Sequence, residues 1–163
     1  EMKSTGEVMG LGDSFDEAFA KAALAVGERL PAKGTAFMSV RDVDKPGAAK
    51  VARDLVEAGF KLIATTGTAK ALKEAGIEVD RVNKVREGRP HIVDAIKNGQ
   101  VQLIINTTEG RKAISDSAQI RQSALQTKVT YTTTLAGGEA FCRAIKFGPE
   151  RTVRRLQDLH AGK

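Results

Sequence analysis

The sequence predicts a doubly wound α/β fold built on a mainly parallel, five-stranded sheet. Three observations carry that expectation. Short apolar runs alternate with segments of helical period, the pattern of strands joined by crossover helices. The runs Phe60–Ala64 and Val101–Ile105 are long enough for one buried strand each. Hydroxyl-rich turns follow these runs, as at Thr65-Thr66-Gly67-Thr68, where a strand hands over to a helix. Right-handed crossovers then place helices on both faces of the sheet.

Residues 1–12 hold three glycines and no helical period, and read as an extended lead-in. Gly10-Leu11-Gly12 is not a dinucleotide fingerprint, because Phe15 stands where a third glycine is required. Ser14-Phe15-Asp16-Glu17 is a capping box and opens a helix running to about Arg29. Its period predicts Phe15, Ala18, Phe19, Ala22 and Val26 on the inner face, with Glu17 and Lys21 paired outside. Residues 35–40 read as a strand, followed by a polar loop with Pro46 and Gly47. A helix to about Ala58 places Ala48, Val51, Ala52 and Leu55 inward, and Gly59 ends it.

The strand at 60–64 leads through the threonine turn into a helix at 69–75, which stops at Gly76. A short strand near 78–82 follows. Pro90 suits the first turn of a helix containing Ile92, Val93 and Ile96, terminated by Asn98-Gly99. The clearest strand, at 101–105, spills into a second polar edge, Asn106-Thr107-Thr108. A helix at 115–126, a strand at 128–131, an apolar helix at 134–146 and a final helix from Pro149 with Val153, Leu156 and Leu159 complete the order.

The totals bound the function. A chain of 163 residues supports one domain with a sizeable core. No apolar stretch approaches the ~18 residues of a membrane span, and no signal-peptide pattern is present. The single cysteine, Cys142, excludes an internal disulfide, fits a cytosolic protein and reads as core filler. The start on Glu1-Met2-Lys3 reads as a piece cut from a longer protein. A net charge of +6 is spread among 20 acids without a dense basic run, and one tyrosine with no tryptophan leaves little surface for stacking bases. A diffuse positive field around an anionic small-molecule site accounts for the charge better than nucleic acid does.

In an open parallel sheet the strand ends gather on one edge, where ligands bind and helix N-termini offer unpaired N–H groups. Ser39, Thr65, Thr66, Thr68, Asn106, Thr107 and Thr108 all stand near predicted strand C-termini, with Lys45 and Lys84 close behind. Hydroxyls, amides and ammonium groups all donate to oxygen, so this edge reads as a phosphate pocket.

The segments Ser39-Val40-Arg41 leading to Lys45, Ala64 to Thr68, Val82 to Ile92 (VNKVREGRPHI) and Ile104 to Thr108 are together highly specific. The chain resembles, along essentially its whole length, the carboxy-terminal domain of the carbamoyl-phosphate synthetase large chain, of the methylglyoxal-synthase-like family. Ser4 to Gly10 (STGEVMG) resembles the end of the preceding synthetase domain. Residues 1–12 are therefore expected to be a linker and 13–163 the regulatory domain.

The resemblance implies allosteric control, without catalysis in this fragment. It implies UMP as inhibitor and IMP as activator in one overlapping pocket, with ornithine as a further activator nearby. Ser39, Lys45, Thr65, Thr68, Lys84, Asn106 and Thr108 match phosphate-binding positions. Asp116 and Ser117 match the ribose side, and Tyr131 and Thr133 match ornithine contacts. No cofactor or metal is implied for this domain. The full large chain is implied to be a glutamine-hydrolysing ligase using ATP with Mg or Mn. It would work in the cytoplasm with a glutaminase small chain, within an oligomer, and supply carbamoyl phosphate to pyrimidine and arginine synthesis. Relatives responding to N-acetylglutamate remain an alternative.

Two enzymes share features of this pattern. A phosphate-substrate lyase of the methylglyoxal-synthase type needs a base, and Asn106-Thr107-Thr108 after the strand offers none. Asp94, Glu109 and Asp116 remain candidates, while His91 reads as a structural partner at a helix start. The cyclohydrolase of purine synthesis shares the Thr66 to Leu72 helix start, but its lysine- and histidine-containing downstream stretch has no counterpart here. A docking module whose polar edge merely meets the rest of a synthetase is a third reading.

Overall fold

The computed structural model describes residues 7–28, 30–107, 111–148, 153, 155, 157 and 158. In chain order it contains α1 (Phe15–Ala25), β1 (Gly34–Ser39), α2 (Lys45–Glu57), β2 (Phe60–Ala64), α3 (Thr66–Glu74) and β3 (Asp80–Arg81). There follow α4 (Ile92–Lys97), β4 (Leu103–Asn106), α5 (Arg111–Thr127), β5 (Thr130–Thr132) and α6 (Leu135–Phe147). Short 3-10 turns lie at Asp42–Asp44 and Val85–Glu87. All four strand pairings are parallel, in the order β3-β2-β1-β4-β5, so the expected doubly wound sheet is present.

Strand alternation divides the apolar residues between two cores. Ala36 and Met38 of β1 and Leu103 and Ile105 of β4 meet α2, α3 and α6 on one face. Phe37 and Ile104, their neighbours in sequence, meet α4 and α5 on the other. The four predicted inward residues of α2, Ala48, Val51, Ala52 and Leu55, are all buried. Burying a side chain such as Leu55 or Phe37 contributes about 1.5–3 kcal/mol.

The chain departs from expectation at α1. Ser14 caps the helix as predicted, accepting from the Glu17 N–H at 3.2 Å. The inner face, however, is Ala20 and Ala23 with Phe19, whereas Phe15 and Val26 are exposed. The lead-in explains the difference. Gly10 lies so close to Ala18 and Ala22 that a Cβ there would collide with the helix backbone, so chain rather than core covers that side. Glu17 pairs with Lys21 at 2.7 Å but is buried, because the Asp13 N–H closes over its carboxylate at 2.9 Å. Phe19 meets Phe141 of α6 edge-on, which fixes α1 to the sheet layer.

Several boundaries also shift, among them the start of α5, which is at Arg111 rather than 115, and β5, which lies at Thr130–Thr132 rather than 128–131. α2 begins at Lys45, so Pro46 and Gly47 form its first turn rather than a loop. α3 begins at Thr66 rather than Ala69, with Thr65 in the cap position. Pro90 precedes α4, because His91 is the N-cap: its Nδ1 accepts from the Asp94 N–H, and the Asp94 carboxylate accepts from the His91 N–H at 3.0 Å. The expected final helix falls almost wholly outside the described residues, as do Arg29 and Ser4 to Gly6.

Cys142 is core filler on α6, where burial pushes its thiol up to about 12. At pH 8 almost none of it is thiolate, and the thiolate is the reactive form. A thiol reagent should therefore label the native protein far more slowly than the unfolded protein. Rapid stoichiometric labelling of the native state would contradict this packing.

Candidate functional site

Strand order reverses between β1 and β4, and a crevice of about 350 Å³ opens above their carboxyl ends. This is where the topology of an open parallel sheet puts a ligand, and the volume lies within the range of small-molecule sites. One wall comes from Ser39 to Asp42 after β1 and Thr65 after β2; the opposite wall comes from Asn106 and Thr107 after β4 and Asp116, Ser117 and Ile120 of α5. Lys84, Val85 and Ile92 close the third side.

The floor is a set of joined polar groups. Ser39 and Asn106 are register partners across the β1–β4 pair, and the Thr107 N–H donates to the Ser39 carbonyl at 2.9 Å. The Thr65 hydroxyl reaches Ser39 Oγ at 3.2 Å and Thr68 Oγ1 at 3.4 Å. Asn106 is 2% exposed, and its Nδ2 donates to Ser117 Oγ at 3.0 Å and Tyr131 Oη at 3.4 Å. Thr107 Oγ1 accepts from the Arg41 N–H at 3.1 Å and so ties the two walls.

Two predicted positions act as supports in this arrangement. Thr68 is 1% exposed and does not line the crevice; its Oγ1 accepts from the Val40 N–H at 3.0 Å, holding the chain as it leaves β1. Tyr131 stands behind the crevice, where its hydroxyl meets Asn106 and its ring lies 5.9 Å from the Arg121 guanidinium. Thr133 is exposed beyond the end of β5, outside the crevice lining. Thr108 lies outside the described residues.

Two of the cations beside the crevice, Lys45 and Arg86, are already paired. Lys45 Nζ contacts Asp42 Oδ1 at 2.7 Å, and the hydrogen bond and charge of Lys45, with a smaller effect of Lys84, hold the Asp42 carboxyl below its usual range. The Lys45 head also lies 3.6 Å from where a side chain on Gly67 would begin, at the open start of α3. Ala69 makes the first backbone bond into that helix, to Thr65, so the N–H groups of its first turn face outward for an acceptor. Across the crevice, Arg86 Nε holds Asp116 Oδ1 at 2.9 Å.

Of the positions that sequence brings to one site, Ser39, Thr65, Lys84, Asn106, Asp116 and Ser117 line the crevice, whereas Lys45 does not and meets it only through its ion pair with Asp42. It missed Arg86 and the apolar wall of Val85, Ile92 and Ile120. Ile92 and Ile120 carry the ordinary signal of core-facing helix residues, and nothing in their spacing separates a wall from a core. Among the described residues no group of three or more His, Cys, Asp or Glu side chains can hold a metal, and no helix is long and apolar enough to cross a membrane.

Comparison with known proteins agrees with this geometry. The family model described as MGS-like domain matches residues 47–133. The carbamoyl phosphate synthase large chain of Pseudomonas putida is 68% identical over 99% of this chain. Those of Halomonas eurihalina and Xanthomonas axonopodis are 61% and 56% identical over 99% and 98% of it. The chain spans about 15% of the length of these relatives. With more than half of its residues under the family model and the parallel five-stranded sheet in place, the chain belongs to the MGS-like domain family.

Proposed function

We propose that this chain is the allosteric regulatory domain of a carbamoyl phosphate synthase large chain, and that its crevice binds nucleoside monophosphates. The observation that carries the reading is the convergence of anion donors at the strand-order reversal. Lys84, Ser39 and Thr65 line the crevice, and Lys45 and the open start of α3 meet just outside its lining, next to Asp42 and Thr65 of its wall. Each donates to oxygen, and a phosphate held by several charge-assisted hydrogen bonds gains affinity whatever base it carries. Val85, Ile92 and Ile120 supply an apolar surface for that base. A purine and a pyrimidine can then share one cradle, as UMP and IMP would.

Opposite effects of two such ligands need different preferences for the states of the whole enzyme, because a ligand shifts only an equilibrium it distinguishes. Those states belong to the longer protein: its ligase chemistry with ATP and divalent metal, its glutaminase partner and its assembly. Tyr131 and Thr133 are the positions proposed for an ornithine contact, and the hydrogen bond from Asn106 to Tyr131 supports a link between that contact and the crevice floor.

Binding without chemistry is favoured over a lyase by the state of the candidate bases among the described residues, Glu109 lying outside them. Asp116 is held by Arg86, Asp94 and His91 cap one another at the start of α4, and the β4 edge carries an amide where a base is needed. Turnover of dihydroxyacetone phosphate, lost on changing Asp116, would reverse this assignment.

In calorimetric titrations of the full-length protein, Lys45→Ala or Lys84→Ala should each weaken both UMP and IMP by roughly 1.5–3 kcal/mol, the worth of a charged hydrogen bond. Unchanged affinity would remove that lysine from the site. Asp42→Asn should act in the opposite sense, because Asp42 competes with phosphate for Lys45. A modest gain is expected, because the ion pair it breaks is exposed; weaker binding would mean that Asp42 serves the ligand. Thr133→Ala should blunt ornithine activation while leaving nucleotide affinity intact, and loss of nucleotide binding would misplace it.

A further inference from the structure

The 84–86 turn presents three chemistries in three consecutive residues. Lys84 offers a cation and Val85 an apolar wall to the crevice, while Arg86 reaches across to α5. There its Nε holds Asp116 Oδ1 at 2.9 Å and its Nη2 donates to Ser115 Oγ at 3.2 Å. Among the described residues, the other hydrogen bonds and ion pairs of residues 84–88 close within residues 81–88: Lys84 N–H to Glu87, Glu87 N–H to Lys84, Arg81 to Glu87, and Asn83 to the Gly88 carbonyl. Among those residues the Arg86 grip is thus the polar tie between this turn and α5.

Stability does not account for it. The Arg86 side chain is 59% exposed, and a rim ion pair of that kind contributes little to folding. Its effect is geometric. Asp116 lines the crevice as a carboxylate, which repels phosphate and accepts only from donors. A guanidinium gripping one of its oxygens, with a second contact to the adjacent serine, fixes the direction of the remaining acceptor positions.

We propose that Arg86 is a positioning residue for sugar selectivity: by fixing Asp116 from across the crevice, it makes that carboxylate an acceptor for the vicinal hydroxyls of a ribose. This rests on the nucleotide reading above. A 2′-deoxy sugar supplies one donor fewer and leaves an oriented acceptor unpaired, a loss that a site built to hydrogen-bond a hydroxyl penalises. Phosphate alone, held at the Lys45 and Lys84 end, is indifferent to Arg86 beyond the loss of one surface charge.

The test titrates the full-length protein with uridine 5′-monophosphate, its 2′-deoxy analogue and inorganic phosphate. The variants are Arg86→Gln, Arg86→Lys and, as a charge control outside the crevice lining, Arg81→Gln. The wild type should prefer the ribonucleotide roughly tenfold. Arg86→Gln should bring the two nucleotides close to equal affinity while changing phosphate binding no more than Arg81→Gln does. Arg86→Lys, which restores the charge without the two-point grip, should recover the preference only in part. Retained phosphate binding reports an intact fold. A ribose preference that survives in Arg86→Gln, or an equal loss for all three ligands matching Arg81→Gln, overturns the inference alone. A wild type that binds neither nucleotide nor phosphate overturns the nucleotide reading and the inference with it.

Discussion

The parallel pairing of β1 with β4 is the constraint on which the rest of the molecule depends. The chain builds outward from β1 through β2 to β3, then returns to lay β4 on the opposite side of β1 and continues to β5. Crossovers of one hand put α2 and α3 over one face and α4 and α5 over the other. The loops leaving β1 and β4 therefore part in opposite directions, and a crevice is unavoidable above Ser39 and Asn106. Sheet order makes the site before any functional side chain is chosen.

The polar floor of that crevice and the threonine beneath it are already paired. Asn106, Ser117, Thr65 and Thr68 are buried and hydrogen-bonded, as buried polar groups must be to avoid a desolvation penalty of about 1–3 kcal/mol each. Lys45 and Arg86 are balanced by Asp42 and Asp116. On the proposed reading, a phosphate near Lys45 would exchange one exposed anion for another, so little new order would be required of the protein. The same lattice reaches outward: Tyr131 touches Asn106 from behind, and Arg41 is tied to Thr107. These bonds join the floor to β5 and to the loop after β1, the contacts through which the proposed regulation would have to act.

Much of this was legible in the chain. Strand identity followed from apolar runs such as Phe60–Ala64, whose inward residues Leu62 and Ala64 need no alternating partner pattern to be recognised. The polar edge was legible because Ser39 and Asn106 end strands and Thr65 follows one directly, and parallel strands must end together. The orientation of α1 was not legible, since its apolar stripe is covered by the lead-in at Gly10, a contact that no periodicity encodes. Sequence marks Thr68 as a ligand donor but not that its oxygen also accepts from the Val40 N–H; a hydroxyl near a site carries the same letter in either role. Arg86 escaped for a similar reason, because the partner that gives it meaning, Asp116, lies thirty residues away on another helix.

The central claim is that the crevice at the strand-order reversal is anchored on phosphate. A crystal structure of the full-length protein grown with UMP tests it most directly. The account predicts the phosphate between Lys45, Lys84 and the start of α3, with the ribose toward Asp116 and the base against Val85, Ile92 and Ile120. A nucleotide bound elsewhere on this domain, or seated with its phosphate against the apolar wall, would contradict it.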